Sequence, residues 1–164
     1  SVHQKMGSFL MTSPSVKDPE GNQAPKGRHI VEIIAMADYK SFKKWAGSAS
    51  MKRGEGYTAF KKKIGNNLLK SAERYIPNIL EHLDQVEFAT PLTNEYWVNA
   101  VQGGCYSLEQ GPDQMGPGRF GSFTAGIDGL FIVGAGTLGG GVMTCVASGV
   151  LAGGKIVKYI ESSR

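Results

Sequence analysis

Apolar and polar positions alternate along this chain in ways that assign most of its elements. From Tyr57, the residues Phe60, Ile64, Leu68, Ala72 and Tyr75 recur at three- and four-residue steps, one stripe of an amphipathic helix that leaves Lys61, Lys62, Lys70 and Arg74 mainly outside it. Pro77 ends that helix, since the residue before a proline is pushed out of helical geometry and the ring removes a donor. A shorter helix begins at Asp38, an N-cap residue, and carries Tyr39, Phe42 and Trp45 inward. Residues 29–37 hold Ile30, Val31, Ile33, Ile34 and Met36, broken only by Glu32, and predict a strand buried on both faces or nearly so. Its partner spans residues 7–12, starting at Gly7. Residues 13–27 carry Pro14, Pro19, Gly21, Asn22 and Pro25, a loop by composition, and residues 85–89 form a short strand ahead of Thr90-Pro91. The glycine- and proline-rich stretch 111–126 reads as an irregular surface crossing.

The most informative segment is 129–142. A short apolar run, Leu130-Phe131-Ile132-Val133, breaks into Gly134, Gly136, Gly139, Gly140 and Gly141 and resumes as an apolar segment: a strand, a phosphate-type turn and a helix start. Glycines there let backbone N–H groups approach an anionic ligand without an intervening Cβ, and a helix amino end adds partial positive charge. Gly134, Gly136 and Gly139 satisfy G-x-G-x-x-G literally, yet only 25 residues follow Gly139, too few for a second parallel strand bearing an acidic ribose ligand. The turn therefore reads as a secondary cofactor contact, with a purely structural turn as the alternative.

Three blocks carry a family resemblance: Thr90-Pro91-Leu92-Thr93-Asn94-Glu95-Tyr96, then Gly103-Gly104-Cys105-Tyr106-Ser107-Leu108-Glu109-Gln110, then Gly134-Ala135-Gly136-Thr137-Leu138-Gly139-Gly140-Gly141-Val142. In order and spacing they resemble the carboxyl-terminal third of the phytoene desaturase, carotenoid isomerase and retinol saturase group of FAD-dependent oxidoreductases. Many of that group place a His-Pro pair where this chain has only Leu138, so its turn is one residue shorter.

The resemblance implies an α/β (α+β) fold, a fragment of a two-domain FAD-binding oxidoreductase with a mixed sheet, helices and a final strand, glycine turn and helix. Residues 1–110 would be part of the substrate-binding domain, and 111–164 would complete the FAD-binding domain. Backbone N–H groups around Gly134, Gly136 and Thr137 would face the pyrophosphate and ribityl region of FAD, and those of Gly140, Gly141 and Val142 the pyrimidine side of the flavin ring. Tyr106, Glu109 and Gln110 are weaker candidates for the flavin or substrate wall, with a hydrogen-bonded loop as the structural alternative. The implied substrate is an apolar polyene or isoprenoid, undergoing desaturation, saturation or isomerisation. No amino-terminal G-x-G-x-x-G precedes Gly129 and the chain opens on Ser1, which leads us to expect a missing amino-terminal FAD-binding part as partner. A flavin amine oxidase of similar build and a non-catalytic assembly piece remain the alternatives.

Composition changes this picture little. With 164 residues, 41% of them hydrophobic, and 23 glycines, the chain fits one compact, turn-rich body. Its net charge of +4 is modest, and Lys61-Lys62-Lys63 with Lys43, Lys44, Lys52 and Arg53 could favour anionic lipid headgroups or nucleic acid, although such a run is more often the wet face of a helix. Basic and aromatic residues do not interleave on a strand, so no nucleic-acid partner is expected. Residues 129–154 carry no charge, but nine of these 26 positions are glycine, and the run 139–141 would interrupt a spanning helix; burial in a soluble core is expected, with peripheral membrane contact left to the rest of the protein. Cys105 and Cys145 read as reduced packing residues, and His3, His29 and His82 have no metal spacing. Catalytic residues are unassigned, no metal is expected, and the redox chemistry would come from the cofactor. The pattern fixes no oligomeric state.

Overall fold

The computed structural model describes residues 8–109, 111–115, 119, 123 and 126–163. They divide into two compact units, Ser1–Leu92 and Thr93–Arg164, each considered by itself.

In the first unit, β1 (Phe9–Thr12) pairs antiparallel with β2 (Glu32–Ala35), Phe9 opposite Ala35 and Thr12 opposite Glu32. The expected partner is thus found over Phe9–Thr12, its expected start at Gly7 lying outside the described residues. With its helices, this chain mixes α and β structure as expected; among the described residues the sheet is this two-stranded ribbon, and the strand over 29–37 shortens to four residues. Burial on both faces is also corrected: β2 alternates, with Ile33 half-buried and Ile34 exposed, because a ribbon with one packed side leaves its other side to solvent. The loop after β1 contains a single helical turn, α1 (Pro14–Lys17), opened by the proline. Residues 85–89 are not a strand. They run irregularly, and Phe88 sets its ring over Gly65.

Asp38 caps as expected, its carboxylate accepting the N–H of Lys40 at 3.0 Å. The capped segment consists of two successive 3-10 turns, Tyr39–Ser41 and Lys43–Trp45, rather than one α-helix. These turns still deliver Phe42 to the core, where it joins Tyr57 and Leu92, flanked by Tyr39, Trp45, Phe60 and Ile64. The rings interlock edge-on, Phe42–Phe60 at 5.4 Å and Trp45–Tyr57 at 5.5 Å between centroids, geometry that the aromatic quadrupole favours. Helix α2 (Gly54–Ala72) presents the predicted stripe, with Tyr57 and Ala72 buried and Phe60, Ile64 and Leu68 half-buried. It stops before Pro77, and the amides of Tyr75 and Ile76 fold back onto the carbonyl of Ala72. Tyr75, beyond the helix end, is exposed and meets Phe9 edge-on at 5.6 Å. Lys62 and Lys63 face solvent and Lys61 is half-buried. Helix α3 (Pro91–Val98) begins on the proline of the first motif block.

In the second unit, the segment before the glycine turn is extended but forms no sheet strand. Ile132 donates its N–H to the Phe123 carbonyl at 2.7 Å, and Phe131 makes an isolated bridge. A parallel strand needs neighbours on which to build a ladder, and the described residues supply none. Helix α4 (Val142–Ser162) starts after the three glycines instead of being broken by them. The expectation that this segment is buried in a soluble core is corrected: one side packs through Ser148 and Ala152, while Val142, Val146, Val150, Val157 and Ile160 are exposed. By length and composition alone, α4 is long and apolar enough to cross a membrane. Cys105 is exposed rather than packed, because it lies in a bend-rich loop, and Cys145 is half-buried; both are free thiols.

Candidate functional site

The glycine turn is held by three hydroxyls. Thr137, 1% exposed, donates its Oγ1–H to the Gly134 carbonyl at 2.8 Å, and its own N–H reaches the same oxygen at 3.1 Å. Ser148, fully buried on α4, accepts the N–H of Gly134 at 2.8 Å and donates to the Cys145 carbonyl at 2.7 Å. At the helix entrance, Thr144 Oγ1 lies 2.7, 2.9 and 2.8 Å from the carbonyl oxygens of Gly139, Gly140 and Gly141.

That last convergence sets the direction of the backbone. In a trans peptide the C=O and the following N–H point opposite ways. Three carbonyls drawn onto one Thr144 hydroxyl therefore turn the N–H groups of Gly140, Gly141 and Val142 away from it. None of these amides has an acceptor among the described residues. The helix dipole adds partial positive charge at the same place. Gly141 takes φ +103° and ψ 159°, a region open in practice only to glycine, and a Cβ built there would meet nothing within 4 Å. The result is a half-buried backbone cradle with outward donors, open at Gly141, suited to an anionic or carbonyl-bearing ligand.

The predicted site residues divide between two roles in this geometry. Gly140, Gly141 and Val142 supply the outward amides. Gly134 and Thr137 spend their amides within the turn, on Ser148 and on Gly134 respectively, and so shape it. Gly136 lies against Ser107, whose Oγ would be 3.0 Å from an added Cβ, and Gly140 lies against Tyr106, whose Cγ would be 2.6 Å away. Tyr106 is thus brought to the turn, as a partly exposed ring beside the cradle. Glu109 is exposed, and Gln110 falls outside the described residues.

Sequence reasoning missed Arg119. It is 6% exposed and donates to the carbonyls of Gln114 (Nε, 2.7 Å), Ala135 (Nη1, 2.5 Å) and Leu108 (Nη2, 3.4 Å), so a buried cation ties the Tyr106 loop to the glycine turn. Its neighbours in sequence, glycines and prolines, gave no signal. Thr144 and Ser148 were also missed, although hydroxyls one helical turn apart on an otherwise apolar segment are a visible cue. A second feature, an open groove of about 690 Å³, lies toward the other end of α4 beside residues 126–131, lined by Phe131, Lys155, Lys158 and Tyr159. The Tyr159 hydroxyl donates to the Asp128 carboxylate, which, with desolvation, holds the phenol above its ordinary pKa. Among the described residues no group of His, Cys, Asp or Glu could hold a metal.

No family model matches the chain, and no solved structure matches it. Four curated relatives do. The chain is similar to all-trans-retinol 13,14-reductase of Homo sapiens, 26% identical over 142 residues, covering 85% of this chain and 22% of the relative. It is 25% identical over 147 residues to the protein of that name from Macaca fascicularis, covering 88% and 23%. For Danio rerio the match is 25% over 103 residues, covering 63% and 17%. The chain thus spans less than a quarter of the length of the curated relatives it matches.

Proposed function

We propose that this chain is the carboxyl-terminal portion of an FAD-dependent oxidoreductase acting on a polyene or other isoprenoid. Residues 1–110 belong to its substrate-binding domain and residues 111–164 complete its FAD-binding domain. The observation that carries the reading is the Thr144-organised cradle: three outward amides at a helix amino end, with Gly141 in a conformation that keeps the approach open. FAD, when bound, supplies the redox chemistry. The residues of this chain hold and polarise. Gly140, Gly141 and Val142 donate backbone hydrogen bonds toward the flavin, Gly134, Gly136 and Thr137 fix the turn beneath it, and the Tyr106 ring forms part of the wall. The names of the similar proteins, reductases of a retinol carbon–carbon bond, support a polyene as substrate. The uncovered valine face of α4 is compatible with attachment to the rest of the protein or to a membrane.

The test uses the parent protein loaded with flavin. Gly141→Val and Gly136→Val reduce flavin content, the first by closing the cradle and the second by driving a side chain into Ser107, whereas Lys62→Ala does not. Incubated anaerobically with a polyene, the enzyme changes the number or geometry of its double bonds. Flavin bleaching by amines, with the polyene untouched, would transfer the proposal to an amine-oxidising enzyme, and full flavin in both valine variants would make the turn architectural.

A further inference from the structure

Thr144 is the third residue of α4, and its hydroxyl meets more carbonyls than an ordinary helical back-bond provides. Thr58 Oγ1 and Ser71 Oγ, both on α2, each reach a single carbonyl four residues back, that of Gly54 at 3.3 Å and that of Asn67 at 2.9 Å. Thr144 Oγ1 reaches those of Gly139, Gly140 and Gly141, all within 2.9 Å. A hydroxyl has one proton to give. Three carbonyl oxygens therefore crowd around a single positive end, and without it their negative ends repel one another. The Thr144 methyl lies 3.7 Å from where a Cβ on Gly139 would stand, so the side chain leans over the first glycine of the run, which helps to hold its rotamer.

We propose that Thr144 is a positioning residue that sets the reduction potential of the flavin, which rests on the flavin reading given above. Its hydroxyl is spent on the carbonyls, so it acts through the backbone and not on the ligand. With the carbonyls gathered on Thr144, the amides of Gly140, Gly141 and Val142 point outward, toward the pyrimidine end of the ring, where reduction adds negative charge. Donors aimed at that charge stabilise the reduced form more than the oxidised one and raise the potential. Valine in place of Thr144 has nearly the same shape but puts a methyl group among three carbonyls. The glycine peptides, with no side chain to hinder them, then rotate to carry those oxygens to water, and the amides lose their aim. The dipole of α4 is the same in both proteins, so the difference between them isolates the hydroxyl.

Redox titration of the flavin-loaded parent protein against a reference dye tests it, with flavin content measured on the same samples. Thr144→Val shifts the oxidised-to-reduced ratio at a fixed potential about tenfold toward the oxidised form, a fall of about 30 mV for a two-electron couple. Thr144→Ser keeps the hydroxyl and brings the ratio back to within about threefold of the unmodified protein, the residue of the effect reflecting the freer serine rotamer. Thr144→Ala removes the hydroxyl without setting a methyl group among the carbonyls; it shifts the ratio in the same direction and takes the place of the valine variant should that one fail to fold or to hold flavin. Thr58→Val, the same substitution on α2, leaves the ratio where it was. A hydroxyl that only braced the start of α4 would lower the urea midpoint and leave the potential unmoved in the valine and alanine variants, and that result overturns the proposal, as does an equal shift in Thr58→Val. A parent protein that carries no flavin overturns the flavin reading itself, and the role of Thr144 with it.

Discussion

The buried hydroxyl of Ser148 accepts the N–H of Gly134 at 2.8 Å, joining the second turn of α4 to the start of the glycine turn 14 residues earlier. Ser148→Ala leaves that N–H without an acceptor in a site closed to water. Removing one partner of a buried hydrogen bond costs about 1–3 kcal/mol, so urea unfolding of the second unit should shift to lower midpoint with little change in slope. An unchanged midpoint would mean that water enters and replaces the hydroxyl.

Arg119 braces the same unit through hydrogen bonds to three carbonyls. Its three carbonyl acceptors lie in separate stretches of chain, and it has no shorter substitute. Arg119→Met retains much of the stem but strands those carbonyls, with an expected loss of about 2–4 kcal/mol. Arg119→Lys, keeping charge without the planar fork, should fall between the two. Equal stability of the Lys and wild-type proteins would show that charge, not the fork geometry, holds the loops.

Gly65 and Phe88 form a matched pair in the first unit. A methyl at Gly65 would overlap the Phe88 ring, so Gly65→Ala should destabilise by about 1–3 kcal/mol in spite of alanine's better helix propensity. Combining it with Phe88→Ala should cost less than the sum of the two single changes, because the smaller side chain removes the clash. A purely additive double-mutant cycle would sink the pairing.

Tyr159 provides a pH-dependent test. Its phenol pKa is raised above the ordinary 10.0, first by its hydrogen bond to Asp128 and then by desolvation and the Asp128 charge, against a lowering by Ser163. A raised folded-state pKa favours the protonated phenol, so the stabilisation is fully present below pH 10 and is lost as pH rises through the folded value. In an ultraviolet titration Tyr159 should give a late component, and Asp128→Asn should move it to lower pH. If the late component survives the substitution, another group holds the proton.

The chain alone should fold yet bind FAD weakly, since its cradle offers backbone donors to one part of the cofactor. A flavin-fluorescence titration showing a complex tighter than roughly micromolar, about −8 kcal/mol, would mean that these residues form a far more complete site than proposed.

The amphipathic stripe of α2, the Asp38 cap, the β1–β2 pairing and the glycine turn leading into a helix were all legible in the sequence, because each depends on contacts between near neighbours or on the conformational freedom of particular residue types. Tertiary structure decided the rest. Residues 85–89 have strand composition, but Phe88 packs against Gly65 on α2, and among the described residues no strand lies beside them. The apolar run 130–133 forms no ladder among the described residues beyond the Phe131 bridge and the Ile132–Phe123 hydrogen bond. Glycine spacing placed the candidate site, but which amides face outward depends on Thr144 collecting three carbonyls and Ser148 capturing Gly134. The Thr144 contacts reach only three to five residues back, whereas the Ser148 contact spans 14 residues and forms only once the helix packs beside the turn. The burial of Arg119 likewise arises from separate stretches of chain whose meeting no local pattern encodes.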